Sequence, residues 1–333
     1  MAHSALQTTK TFGLLIALSA LALAASLWGL VAGEIPVTAS EMLHALFAPA
    51  GDANWTHGVV WELRVPRVSG ALAIGASLAV AGTLLQILLR NPLADPYVLG
   101  TAGGAAVGAL SAILLGLATW ATHLAALAGA TLSTALVLAL ALRGGTLTSL
   151  RLILTGVVLG SAWNASISFL LVSASLQDMS SMLFWLLGDL GRVTSTLPAW
   201  LALAVGMVTG LACAPSLNAL RGGELPARAL GVRLERLRLV LLAVASLLTA
   251  VAVTLAGAVG FIGLVVPHLL RLAGVHDHRT LLPAAALLGG STLVAADTLA
   301  RTVIAPQQLP VGILTAALGV PVFLLLLWRS GRT

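Results

Sequence analysis

The sequence predicts an all-α membrane protein of about ten transmembrane helices, and three observations lead there. Hydrophobic residues fill 59% of the 333 positions and charged residues 8%, with a mean hydropathy of +1.04, a composition outside the range of soluble domains. Apolar runs close to the ~20 residues needed to cross ~30 Å of hydrocarbon follow one another along the chain. The basic residues between those runs fall almost entirely on alternate connections, as the orientation rule for membrane helices requires.

Bounded by charges, prolines and glycines, the runs lie at 12–33, 67–90, 97–117, 120–142, 151–174, 197–215, 238–257, 259–273, 280–302 and 310–328. The first is too long for a signal-peptide core and has no clear small-residue cleavage site, so it reads as a span. Ten spans place both termini on one side. If that side is the cytoplasm, thirteen basic residues lie inside (Lys10, Arg90, Arg143, Arg151, Arg221, Arg228, Arg233, Arg236, Arg238, Arg271, Arg279, Arg329, Arg332), and four (Arg64, Arg67, Arg192, Arg301) lie outside. The length leaves no room for a large soluble domain, so residues 1–333 read as one transmembrane domain. Small residues such as Gly100, Gly103, Gly104 and Gly108 allow close helix approach.

Three polar stretches interrupt the spans. The outside loop 34–63 carries Glu34, Glu41, Asp52 and Glu62; the inside loop spans 218–238; a segment at about 178–190 holds MLFWLLGDLG, too short to cross and expected as a short helix at the outer face. Small-residue helices run into proline-marked breaks at NPLADP (91–96) and VVPHL (265–269), which hints at an inverted repeat.

Several function classes are disfavoured. The single cysteine, Cys213, sits in an apolar run and provides neither a disulfide framework nor a thiolate cluster. The net charge of +6 is scattered between spans, not gathered into a stripe, which argues against nucleic acid and for membrane lipid as the basic residues' surroundings. There is no G-x-x-x-x-G-K-[ST] loop, and the one lysine, Lys10, precedes the first span, so this chain carries no Walker-type ATP site. His268, His276 and His278 lack a complete ligand set, so no metal site is expected and the histidines read as structural or solvent-exposed. Asp297, the sole candidate for an ion-coupled secondary transporter, stands four residues before Arg301 and is placed to pair with it. No nucleophile and base at helical spacing suggest an enzyme.

The stretch RNPLADPYVLG (90–100) concentrates local chemistry. Pro92 disfavours helix at Asn91, so the second span should end near Arg90, while Asp95 followed by Pro96 is a helix-start pair, cap and first turn. Asn91, Pro92, Asp95 and Pro96 therefore predict a sharp turn on the inner side.

RVPRVSGALAIGASLAVAGTLLQILLRNPLADPYVLGTAGGAAVGA (64–109), GAVGFIGLVVPHLLRL (257–272), DHRTLLPAAALLGG (277–290) and LPVGILTAALGVPVFLLLL (309–327) resemble, in order, the signatures of FecCD-type permeases. These are the membrane subunits of type II ABC importers for ferric siderophores, haem and vitamin B12. The resemblance implies a ten-helix permease of the bacterial inner membrane that works with a second copy of itself, two ABC ATPase subunits and a periplasmic or extracellular binding protein. ATP and Mg would be used by the ATPase, with no cofactor on this chain. A ferric siderophore ranks first as cargo, with cobalamin and haem next. The inside loop, with Glu224, Arg228, Leu230, Gly231, Val232, Arg233 and Leu234, resembles the family's coupling segment. Gly231 would divide it into two short pieces, and Leu230, Val232, Leu234 and Leu237 would offer an apolar docking face; the alternative is a basic juxtamembrane loop. Arg64, Arg67 and Arg301 match positions that pair with glutamates of the binding protein, or else snorkel at the interface. Thr148, Ser149 and Leu150 fall at the family's cytoplasmic gate, and equally suit an ordinary helix cap.

Overall fold

The computed structural model describes residues 2–33, 35–47, 55–143, 148–193 and 195–330. Among these the secondary structure is helical: α1 (Ala2–Val31), α2 (Ala39–Phe47), α3 (Trp55–Gly58), α4 (Val65–Leu88), α5 (Thr101–Leu114), α6 (Thr119–Leu142), α7 (Ser149–Ser173), α8 (Leu176–Leu187), α9 (Leu197–Arg221), α10 (Glu224–Ala229), α11 (Leu234–Ala256), α12 (Ile262–Leu272), α13 (His278–Thr302) and α14 (Val311–Ser330). Four of them, α2, α3, α8 and α10, lie between the apolar runs; the other ten follow the ten runs in order. Among the described residues, seven helical stretches are individually long and apolar enough to cross a membrane.

The differences from the expected spans have local causes. A π-helical stretch, Val59–Arg64, joins α3 to α4, so the second span begins at Trp55 and is 34 residues long. Its length places part of the expected outside loop on the span; Glu34 and Asp52 of that loop lie outside the described residues. The third run starts later than expected because Pro96–Leu99 forms a 3-10 turn that Gly100 closes at φ +70°. The eighth run loses its start to Gly257 (φ +70°) and Phe261 (φ +67°), leaving α12 with 11 residues. At ~1.5 Å per residue α12 is too short to cross alone and must be surrounded by protein.

Pro267 does not break the chain as VVPHL suggested; it lies inside α12. A proline there frees the carbonyl four residues back, which is that of Gly263. Gln86 Nε2 lies 3.4 Å from this oxygen and donates to Leu264 O at 3.1 Å, so a side chain of α4 meets the orphaned acceptor. The true break, at Gly257–Phe261, sits beside the 91–100 turn: Tyr97 Oη donates to Val259 O at 2.9 Å and accepts from Val259 N at 3.0 Å.

Burial orders the bundle. The apolar part of the α4 span is 89% buried and that of α7 only 11%. Helices α9, α11, α12 and α13 surround α4. Close approach depends on glycine at two crossings, where a Cβ on Gly82 would run into the Gly263 carbonyl and one on Gly75 into that of Gly289. Most of α7 is therefore left facing outwards.

Candidate functional site: the two ends of the bundle

One end of the bundle carries the arginine-rich connections; we call it the basic end. The 91–100 turn lies there. Asp95 caps the 3-10 turn by accepting from Tyr97 N at 2.8 Å, Pro96 occupies its first position, and Asn91 Oδ1 accepts from Leu93 N at 2.9 Å. Asn91, Asp95 and Pro96 thus each hold a place in this turn. Burial raises the Asp95 carboxyl to about 6 from an ordinary 3.8, the Tyr97 amide partly opposing it.

Beside this turn stands the 218–238 segment. Helix α9 extends to Arg221, and α10 follows after Gly222 and Gly223. It ends in a Schellman arrangement, with Gly231 at φ +82°, Gly231 N donating to Arg228 O at 2.9 Å and Val232 N to Ala227 O at 3.0 Å. The second piece expected after Gly231 is not separate: Leu234 opens α11 and the following residues are its first turns. This changes the apolar face. Leu234 (4% exposed) and Leu237 are buried in the core, three residues apart on the inward side of α11, so they cannot be presented to a partner. Leu230 (74% exposed) and Leu225, which the sequence reading passed over, are free to be. Arg228 and Arg233 are exposed and Val232 is half-buried.

Glu224 ties this region together. It accepts from Arg238 Nη2 at 2.7 Å and lies 3.4 Å from Arg90 Nη1, joining α10 to both α11 and the turn after α4. Its pairing with Arg90 was not foreseeable from spacing, because the partners are distant in sequence. At the same end, Thr148 caps α7 by accepting from Arg151 N at 3.4 Å, Ser149 Oγ donates to Leu88 O at 3.4 Å, and Leu150 is exposed.

At the opposite end three arginines converge. Arg64 Nη1 donates to Leu30 O at 2.6 Å and Val31 O at 2.9 Å, and Nη2 donates to Ile35 O at 2.5 Å. Arg301 donates to Gly29 O at 3.1 Å and Ala32 O at 3.2 Å. Together they satisfy the free carbonyls at the C-terminus of α1, a favourable place for cations. Arg67 grips Asp297 through Nε and Nη2 and donates to Gln308 Oε1 at 2.9 Å. Arg301 Nε pairs with Asp297 Oδ2 at 3.1 Å, the i, i+4 pair expected from sequence. With Arg64 4% and Arg301 5% exposed, their guanidinium groups are held inside the chain, and Arg67 is the most accessible of the three. They line one wall of an open depression of about 530 Å³ that also takes in Glu62, Asp189 and Arg192. Asp189, unnoticed in the sequence, caps Gly191 N at 2.7 Å and pairs with Arg192 at 3.5 Å. The short helix expected at this end is α8, with Met182 and Trp185 turned into the core.

Comparison with known proteins agrees with this architecture along nearly the whole chain. The FecCD transport family matches residues 20–329. The vitamin B12 import system permease protein BtuC of Escherichia coli O127:H6 (strain E2348/69 / EPEC) is 42% identical over 323 residues, 96% of this chain and 95% of that protein, and so is that of E. coli strain K12 / DH10B. A metal-chelate type ABC transporter solved in an inward-facing conformation superposes with a TM-score of 0.82 at 28% identity, covering 95% of this chain and 98% of the other. PsaBC from Streptococcus pneumoniae, solved with a Fab, shares the fold alone, with a TM-score of 0.55 at 15% identity over 81% of this chain and 93% of that one. A multi-pass membrane protein with the type II ABC importer permease fold, this chain belongs to the FecCD transport family.

Proposed function

We propose that the chain is the permease subunit of an ATP-driven importer for a bulky metal chelate. The observation that carries this reading is the superposition, over 95% of the chain, on a transporter of the metal-chelate type. The relatives named as vitamin B12 permeases favour a cobalamin-like corrinoid over the ferric siderophore that family membership alone ranks first, with haem a further candidate.

In this reading two copies form the permease and the cargo passes between them. The outward surface of α7 supports it: Val157, Ser161, Asn164, Ser168 and Val172 recur at helical spacing on one exposed face. An amide and two hydroxyls at mid-helix suit an aqueous path better than lipid. Such neutral groups hold a large cargo weakly, leaving affinity to a binding protein. That protein docks over the depression at the opposite end, where Arg64 and Arg301 hold the wall and Arg67 is placed to reach a partner carboxylate.

The basic end faces the cytoplasm of a bacterium, with both termini on that side of the inner membrane, by the thirteen-to-four distribution of basic residues. There two ATPase subunits bind ATP and Mg and dock on the segment from Glu224 to Leu234. Arg228, Leu230 and Arg233 make the contact, Gly231 and Val232 shape the bend, and Leu234 anchors it to the core. Thr148, Ser149 and Leu150, at the start of the exposed α7, stand at the inner gate. The chain itself performs no bond chemistry. Asp297 is enclosed by two arginines, which argues for a structural carboxylate and against a secondary carrier.

The test is extraction of the chain from its native membranes in a gentle detergent, mass spectrometry of the proteins retained, and uptake of labelled cyanocobalamin and of a labelled ferric siderophore by the same cells. A P-loop ATPase in equal amount, a soluble binding protein and ATP-dependent cobalamin uptake are expected. Recovery alone, with uptake sensitive to uncouplers and indifferent to ATP depletion, would overturn the reading.

A further inference from the structure

At the basic end the last turns of α4, α9 and α12 meet the start of α13 around a cavity of about 180 Å³. Arg90, Arg221, Arg271, His276 and His278 line it together with Gln86, and no carboxylate is among the described lining residues. Three guanidinium groups around one small space repel each other unless an anion or a carboxylate intervenes. The neighbouring acids are already engaged. Glu224 shares itself between Arg90 at 3.4 Å and Arg238 at 2.7 Å. Asp277 accepts from Asn218 Nδ2 at 2.7 Å and from the Arg279 amide at 3.0 Å.

The walls are fixed from several sides. Arg221 Nη1 donates to His276 O at 3.2 Å. His278, itself buried, is held through Nδ1 to Asn218 Oδ1 at 2.6 Å. Arg271 lines the cavity, and its Nη2 is buried with no hydrogen-bond partner among the described residues. An arginine stays charged in a protein and its forked N–H groups match the oxygens of a phosphate, so a buried unpaired guanidinium nitrogen calls for an oxyanion acceptor. The volume is below the ~300–1,000 Å³ of sites for drug-sized ligands, and fits a compact group.

We propose that this cavity binds a phosphate group, supplied by the headgroup of an anionic phospholipid in the leaflet at the basic end. Basic pockets between the ends of membrane helices are suited to such headgroups, because the leaflet presents phosphate at the depth where the helices stop. A free phosphate ion offers the same chemistry from the aqueous side. Occupation would draw on Arg90, which also pairs with Glu224, so the lipid would bear on the 224–234 segment. That consequence rests on the importer reading; the binding does not.

The full-length chain, purified in detergent and stripped of lipid, is titrated with phosphatidylglycerol or phosphatidylcholine and read by native mass spectrometry, and its thermal midpoint is measured in millimolar inorganic phosphate against chloride at equal ionic strength. Wild type should retain phosphatidylglycerol in preference to phosphatidylcholine. Arg271→Gln and Arg221→Gln should each weaken that retention about fivefold, with Arg143→Gln, at the exposed end of α6, unchanged. If either variant fails to fold, the other is read alone. A phosphate-induced rise in midpoint lost in Arg271→Gln, without selective lipid retention, keeps the phosphate site and overturns the lipid as its source. Equal retention and equal midpoints in wild type and both variants would overturn the proposal, whatever cargo the protein carries.

Discussion

Arg67 and Asp297, 230 positions apart in the chain, are joined by three donor contacts of 2.9 to 3.1 Å. Asp297 is also paired with Arg301, so one buried carboxylate ties the start of α4 to the end of α13, and Arg301 continues the tie to the last carbonyls of α1. Replacing Asp297 with Asn leaves two arginines facing each other in a buried site. Breaking a buried pair by removing one partner costs ~3–5 kcal/mol, so Asp297→Asn should sharply lower the yield of folded protein and the midpoint seen by size exclusion after heating. Arg67→Gln combined with Asp297→Asn should recover part of the loss. An Asp297→Asn protein of normal stability that fails only in transport would instead favour a coupling-ion role for this carboxylate.

Glu224 bridges α10 to the turn after α4 across partly exposed pairs, and such pairs contribute ~0–1 kcal/mol each. Glu224→Gln should therefore leave the thermal midpoint nearly unchanged while lowering uptake several-fold, if the 224–234 segment it holds to Arg90 is the coupling segment proposed above. ATP hydrolysis that persists while uptake falls would be the signature, measured on the reconstituted complex.

Leu230 and Leu234 lie four residues apart and face opposite fates, one exposed and the other buried. Truncating the buried side chain, Leu234→Ala, should cost ~2–5 kcal/mol of stability. Leu230→Ala should leave stability intact and weaken retention of the ATPase in the detergent extract. Equal ATPase retention in Leu230→Ala and wild type would remove this leucine from the docking face.

Asp95 makes a prediction with a definite sign. Its carboxyl is raised by burial to about 6 from 3.8. Between those values the folded chain keeps a proton that the unfolded chain has released, so stability falls as pH rises through this window and levels off above it. Asp95→Asn retains an oxygen to accept from the Tyr97 amide and cannot ionise. Its midpoint should be flat over the same window and no lower than wild type at neutral pH, whereas Asp95→Ala should lose the cap, typically ~1 kcal/mol.

Gly82 is the tightest test of packing. A methyl group there meets the Gly263 carbonyl, backbone that cannot move aside without shifting α12. Gly82→Ala should depress the folded yield far more than Gly160→Ala on α7, where an added Cβ meets nothing within 4 Å.

Much of the fold is legible in the linear pattern. Ten apolar runs become ten helices in order, because a helix is the one open-ended structure that satisfies its own backbone in lipid. The Asp95 cap, the Gly231 bend and the Asp297 to Arg301 spacing are local enough to read directly. Helix ends were less legible: Trp55 to Arg64 looked like loop, since its polar residues hid a continuation of the span, and Pro267 looked like a break, since nothing local announces that Gln86 will meet the carbonyl it frees.

By itself the sequence determined the membrane environment, the order of the ten long apolar segments, the basic side and the family signatures. These depend on composition and on contacts a few residues apart. Tertiary structure decided which charges are available to partners. Arg64 and Arg301 look like surface docking groups until the end of α1 is brought against them; Leu234 looks like part of a docking face until α11 turns it inwards. Arg271, apparently one more orienting arginine, becomes a buried donor beside four other basic side chains. The reason is physical: a side chain's hydrogen bonds and hydration are settled by whatever the rest of the chain places beside it, and those neighbours lie up to hundreds of residues away.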